Sequence, residues 1–87
     1  MLKGKTKSGF AFEIQDERLN NMELLDALTE LDAGDSTRIS QVLKMLFSSE
    51  EKRALYEHLR TPAGTVPIEA VAAELEEIFA SGQQAKN

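Results

Sequence analysis

The spacing of apolar residues changes once along this chain, and that change decides what it can build. Up to Ile14 the large apolar residues alternate: Phe10, Phe12 and Ile14 fall on one side of an extended segment, with Ala11 and Glu13 on the other. A period of two is the signature of a half-buried strand. The Thr6-Lys7-Ser8-Gly9 stretch contains a turn signal, which predicts a hairpin with Leu2 to Thr6, spanning about residues 2–14. A lone hairpin is marginal in water, so its apolar side must pack on the helices or on another subunit.

From Asn20 onward the spacing becomes helical. Asn20 with Glu23 reads as a reciprocal cap opening a helix over about residues 20–33. Leu24, Leu25, Leu28 and Leu31 then share one face, opposite Glu23, Asp26 and Glu30, and Gly34 ends the helix. Asp35 or Ser36 caps a second helix, about 36–47, with the stripe Ile39, Val42, Leu43, Leu46 and Phe47 and with Met45 beside it. Ser48 and Glu51 form a capping box for a third, about 49–60, facing inward through Leu55, Tyr56 and Leu59. Thr61-Pro62-Ala63-Gly64 stops it, because the residue before proline avoids helical geometry. Pro67 opens the last helix, about 67–80, where Ile68, Val71, Leu75, Ile78 and Phe79 lie among Glu69, Glu74, Glu76 and Glu77. Ser81-Gly82 closes it, and residues 83–87 read as a flexible polar tail. The expected fold is mainly α: an N-terminal hairpin and four short amphipathic helices in one domain over residues 1–82.

At 87 residues such a domain buries roughly two-thirds of its unfolded surface at best, so a deep substrate pocket would use up most of the core. The chain has no Cys, which removes disulfides and thiolate metal sites and suits a reducing cytoplasm. No apolar run approaches the ~20 residues of a membrane span, and the lysine-bearing start lacks the apolar stretch of a signal peptide. The net charge of −5 is unevenly placed. Lys3, Lys5 and Lys7 stand together at the start. From Phe10 to Asp35 the acids Glu13, Asp16, Glu17, Glu23, Asp26, Glu30, Asp32 and Asp35 face one base, Arg18. Such a surface repels a phosphate backbone and argues against nucleic acid as a partner.

No constellation of catalytic groups is evident. His58, the sole histidine, stands beside Glu57 and Arg60 on what reads as a solvated helix edge. Asp32 and Asp35 lack the spacing of a calcium loop, Gly4 and Gly9 that of a phosphate loop, and the Glu74, Glu76, Glu77 group reads as a solvated face. Neither a metal nor a cofactor is expected, and no enzyme. One alternative is specific: Gly34-Asp35-Ser36 at a helix start looks like an acyl carrier protein, with Ser36 as the attachment site. Against it, Thr37 replaces the leucine usual there, Arg38 and Lys44 stand where acids are usual, and the Phe10–Ile14 strand does not belong to that fold. Capping by Asp35 or Ser36 is the simpler account. The candidate protein-interaction residues are Phe10, Phe12, Met45, Phe47 and Phe79, core side chains that become a docking or subunit contact wherever the helices leave them uncovered.

Three stretches, taken in order, carry a family likeness. They are Lys5-Thr6-Lys7-Ser8-Gly9-Phe10 leading into Phe12-Glu13-Ile14; Asp16-Glu17-Arg18-Leu19 before the acidic, Leu-rich segment Met22 to Asp32; and Glu57-His58-Leu59-Arg60 before Gly64-Thr65-Val66-Pro67 and the Glu-rich helix. Over roughly Lys5 to Phe79 the chain resembles the small tail assembly chaperone-like proteins of siphophages and prophages of Gram-positive bacteria. The resemblance implies a homo-oligomer that binds the tape measure protein, keeps it soluble and helps the major tail protein polymerise around it. It also implies action in the host bacterial cytoplasm and absence from the mature virion. A different class of function is a phage-encoded regulatory or anti-host protein that binds a host protein. Because the carrier alternative requires a covalent arm on Ser36, intact mass spectrometry of protein from a host with an active phosphopantetheinyl transferase should return the unmodified chain. A mass increment mapping to Ser36 would install the carrier function instead.

Overall fold

The computed structural model describes the backbone of residues 1–85 and the side chains of residues 1–81. Strand β1, Leu2–Lys5, pairs antiparallel with β2, Ala11–Ile14, in the register Leu2–Ile14, Lys3–Glu13, Gly4–Phe12 and Lys5–Ala11. Helices α1, Asp16–Leu19; α2, Met22–Asp32; α3, Arg38–Leu46; α4, Ser49–Leu59; and α5, Ile68–Ala85, follow. The expected mainly α fold with an N-terminal hairpin is therefore the observed one.

Local chemistry shapes the hairpin. The amide of Gly9 donates to the carbonyl of Thr6 at 2.9 Å and the amide of Thr6 to the carbonyl of Phe10 at 3.0 Å. Gly9 sits at φ +97°. This is a three-residue loop closed by a left-handed residue, the place where glycine costs least. Pleating then puts Leu2, Phe12 and Ile14 inward, all buried, and Lys3, Lys5, Ala11 and Glu13 outward. Gly4 is needed for a different reason: a Cβ there would lie 3.0 Å from Cζ of Phe12, whose ring covers the cross-strand gap.

The helix signals were mostly local and mostly legible. The Ser48–Glu51 capping box is complete, with Ser48 N–H donating to Oε1 of Glu51 at 2.8 Å and Glu51 N–H to Oγ of Ser48 at 3.2 Å. Gly34, at φ +109°, ends α2 in a doubly bonded stop: its amide donates to Leu31 and that of Asp35 to Glu30. Three expectations need correction. Asn20 does not open α2; it closes α1, its amide donating to Asp16, and Asn21 is the cap that accepts from the Glu23 amide at 3.0 Å. The second helix begins at Arg38, because residues 36–37 form a turn in which Oδ1 of Asp35 accepts from the amide and hydroxyl of Thr37. Ser81-Gly82 does not end α5, which continues to Ala85; one glycine costs a helix only about 1 kcal/mol. Of the polar tail, residues 86–87 lie outside the described residues.

Helix α3 is the hub. Its Val42, Leu43 and Leu46 are essentially inaccessible, α1, α2 and α4 pack against it, and α5 packs on α4 and β1. Ile14, Leu55, Leu75 and Ile78 complete the innermost layer. On α2 the inward residues are Leu24, Ala27, Leu28 and Leu31, an i, i+3, i+4, i+7 set that faces α3. That set has no room for Leu25, which is 53% exposed, and Ile68, at the first turn of α5, is 65% exposed. Both were expected inside. Leu43→Ala should therefore lower the unfolding free energy by about 2–5 kcal/mol, whereas Leu25→Ala should change it by less than about 0.5 kcal/mol, both read from urea denaturation.

Candidate functional site

Two neighbourhoods hold the residues with chemistry to offer, and both involve the hairpin. The first is a polar clasp under its turn. Glu74 on α5 is 4% exposed, and its two oxygens accept from Thr6 Oγ1 at 2.8 Å and Ser8 Oγ at 3.0 Å. Thr6 Oγ1 in turn accepts from the Phe10 amide at 3.2 Å, an N–H that the loop geometry leaves without a ladder partner. One turn further along α5, the carboxylate of Glu77 accepts from the Lys7 amide at 3.1 Å. Nε2 of His58 on α4 lies 3.1 Å from Ser8 Oγ and 3.0 Å from the Ser8 carbonyl, and the imidazole leans on Phe10 at 5.8 Å between centroids.

A serine, a histidine and a glutamate in contact invite comparison with a hydrolase triad, but the order of bonds differs. In a triad the carboxylate orients the imidazole, whose free nitrogen takes the serine proton. Here the Ser8 hydroxyl donates its hydrogen bond to the Glu74 carboxylate, and Nε2 faces a carbonyl that can only accept. The contact with the carbonyl is a hydrogen bond only when Nε2 carries the hydrogen, and in that tautomer Nε2 has no lone pair to deprotonate Ser8. The arrangement works as a tether holding residues 6–10 to α4 and α5. Glu74, expected on a solvated face, is buried in it, while His58 is exposed as expected and still touches Ser8; no local signal could have shown these contacts, since the partners are up to 68 residues apart.

The second neighbourhood is an open groove of about 500 Å³ beside the hairpin, floored by Phe10, Phe12 and Phe47 and edged by Lys3, Glu51 and Ala54. Phe10 and Phe47 meet edge to face, with centroids 6.3 Å apart. Of the candidate interaction residues, Phe12 and Phe47 are buried, while Phe10, Met45 and Phe79 are half-buried against the core. The structure brings Phe10, Phe12 and Phe47 together around the groove and leaves Met45 and Phe79 outside its lining. The large apolar side chains most open to water are others: Met1, Met22, Leu25 and Ile68. Met22 and Leu25 share an i, i+3 spacing in the sequence, but that spacing does not say whether their stripe or that of Leu24, Ala27, Leu28 and Leu31 faces the core.

Ser36 is exposed in the turn before α3. Asp35 beside it is held below the usual carboxylate range, chiefly by the Thr37 hydroxyl and further by the Thr37 amide and the Arg38 charge. Arg38 also ion-pairs with Glu30. Among the described residues no three of His, Asp and Glu converge as metal ligands, and no helix is long and apolar enough to cross a membrane. No family model, curated protein or solved structure matches the chain.

The tether yields a prediction. Glu74→Ala, which leaves the Thr6 and Ser8 hydroxyls without their buried acceptor, should cost about 1–3 kcal/mol of stability. His58→Ala should leave global stability within about 1 kcal/mol while the amides of residues 6–10 exchange faster, as hydrogen exchange by NMR will report.

Proposed function

We propose that the protein is a phage tail assembly chaperone, acting by reversible binding to the tape measure protein and promoting assembly of the tail tube around it. The observation that carries this reading is a surplus of apolar side chains outside the core, with Met22 and Leu25 more than half exposed on an acidic helix. A tape measure is a long helical partner with apolar stripes of its own, and an amphipathic surface of this kind can cover them. The negative net charge of −5 keeps such a complex dispersed. The order of motifs from Lys5 to Phe79, similar to that of tail assembly chaperone-like proteins of Gram-positive siphophages, supports the same reading.

On this proposal the protein works without a cofactor or catalytic step, associates with copies of itself, and acts in the host cytoplasm on the tape measure and major tail proteins. It leaves before the virion is complete. This reading places a tape measure gene beside its own, and co-expression with that protein should raise the soluble fraction of the tape measure several-fold. Equal solubility with and without the protein would refute the chaperone role, and capture of a single host protein in place of any tail protein would favour a regulatory one.

A further inference from the structure

The geometry points to the outer face of α2 as a docking seam for a basic amphipathic helix of a partner protein. This inference names the surface and the partner chemistry of the function proposed above, and it rests on that reading.

Helix α2 carries two stripes. The inward one, Leu24, Ala27, Leu28 and Leu31, is spent on the core. On the far side Met22, Leu25 and Thr29 recur at i, i+3, i+7 and fall within about 60° of arc. Met22 is 66% and Leu25 53% exposed, and Thr29 is exposed as well. The Thr29 hydroxyl donates to the Leu25 carbonyl at 2.9 Å, so its polar atom is engaged and its methyl belongs to the outward surface. A 3–4 spacing is the pattern into which the ridges of a second helix pack, and it suits a strand or an irregular segment poorly.

Charge decides which helix. Asp26 and Asp32 flank the stripe on either side, Glu23 and Glu30 lie beyond, and α2 has no basic residue. Arg38 pairs with Glu30; among the described residues Glu23, Asp26 and Asp32 have no ion-pair partner. A second α2 would set four acids against four, which disfavours a symmetric dimer here. The lysine-bearing outer face of another copy's hairpin has the charge, but it offers Lys3, Lys5, Ala11 and Glu13 and no large apolar side chain to fill the stripe. A helix with an apolar ridge flanked by Lys or Arg satisfies both demands.

Two synthetic helical peptides with the same leucine stripe at 3–4 spacing, one flanked by Lys and one by Glu, are the probes. Fluorescence anisotropy should show the Lys peptide binding, with affinity falling between low salt and about 0.5 M salt. The double variant Met22→Ser/Leu25→Ser, both sites being exposed, should melt like the wild type and bind at least about tenfold more weakly. Asp26→Asn/Asp32→Asn should weaken the Lys peptide about threefold to tenfold and flatten its salt dependence, and Ile68→Ser should change nothing. Failure of both peptides to bind, equal binding of the Glu peptide, or insensitivity to the serine variant overturns the seam. So does a wild-type dimer in sedimentation that the serine variant abolishes, since the occupant is then a second copy. Solubility of the co-expressed tape measure separates this inference from the broader one. Rescue by both wild type and the serine variant leaves the chaperone role intact and removes the seam. Rescue by neither, with the Lys peptide still bound through Met22 and Leu25, removes the chaperone role and keeps the seam.

Discussion

A two-stranded hairpin does not hold together alone in water, and everything at the N-terminus of this protein follows from that. Leu2, Phe12 and Ile14 give the hairpin one apolar face, and the helices bury all three. Gly4 leaves room for the Phe12 ring, which a Cβ at that position would meet at 3.0 Å. At the turn, whose residues Lys7, Ser8 and Gly9 carry no apolar side chain, the buried carboxylate of Glu74 collects the Thr6 and Ser8 hydroxyls and ties the hairpin to α5. Burying a carboxylate is tolerable only when hydrogen bonds replace its water, and the two hydroxyls supply them. The hairpin thus depends on α5, through Glu74 and Glu77.

The same economy governs the helices. Helix α3 contributes Ile39, Val42, Leu43 and Leu46 to the core and is covered by its neighbours. Helix α2 contributes only one of its apolar stripes. A chain this small has little interior, so apolar residues beyond the inward set stay in water, where they persist as exposed patches only at some cost to solubility. The acids around Met22 and Leu25 offset that cost and at the same time select the sign of whatever docks there. Solubility and recognition are served by the same side chains.

Features set by neighbouring residues were legible. The Ser48–Glu51 box, the glycine stop at Gly34 and the turn ending at Gly9 all depend on bonds within a few residues, and the structure contains each of them. Where two local signals compete, the sequence leaves the choice open. Asn20 and Asn21 are both plausible caps before Glu23, and the short helix Asp16–Leu19 took the first and left the second to α2. Leu25 and Ile68 have the right chemistry for a core and are excluded from it by geometry. The aromatic residues singled out as a contact surface were recognisable as apolar, but their division into buried Phe12 and Phe47 and half-buried Phe10 and Phe79 is a result of packing.

Sequence by itself determined the hairpin, the four longer helices in their order, the positions of most of their ends and the acidic character of the surface, though not the short helix Asp16–Leu19, because periodicity, capping and charge are properties of short stretches. Only the tertiary structure decided which of two stripes on α2 faces the core. It also buried Glu74, expected on a solvated face, and brought the exposed His58 against the hairpin turn. Those outcomes depend on where α3, α4 and α5 come to rest against one another, and no window of neighbouring residues contains that information.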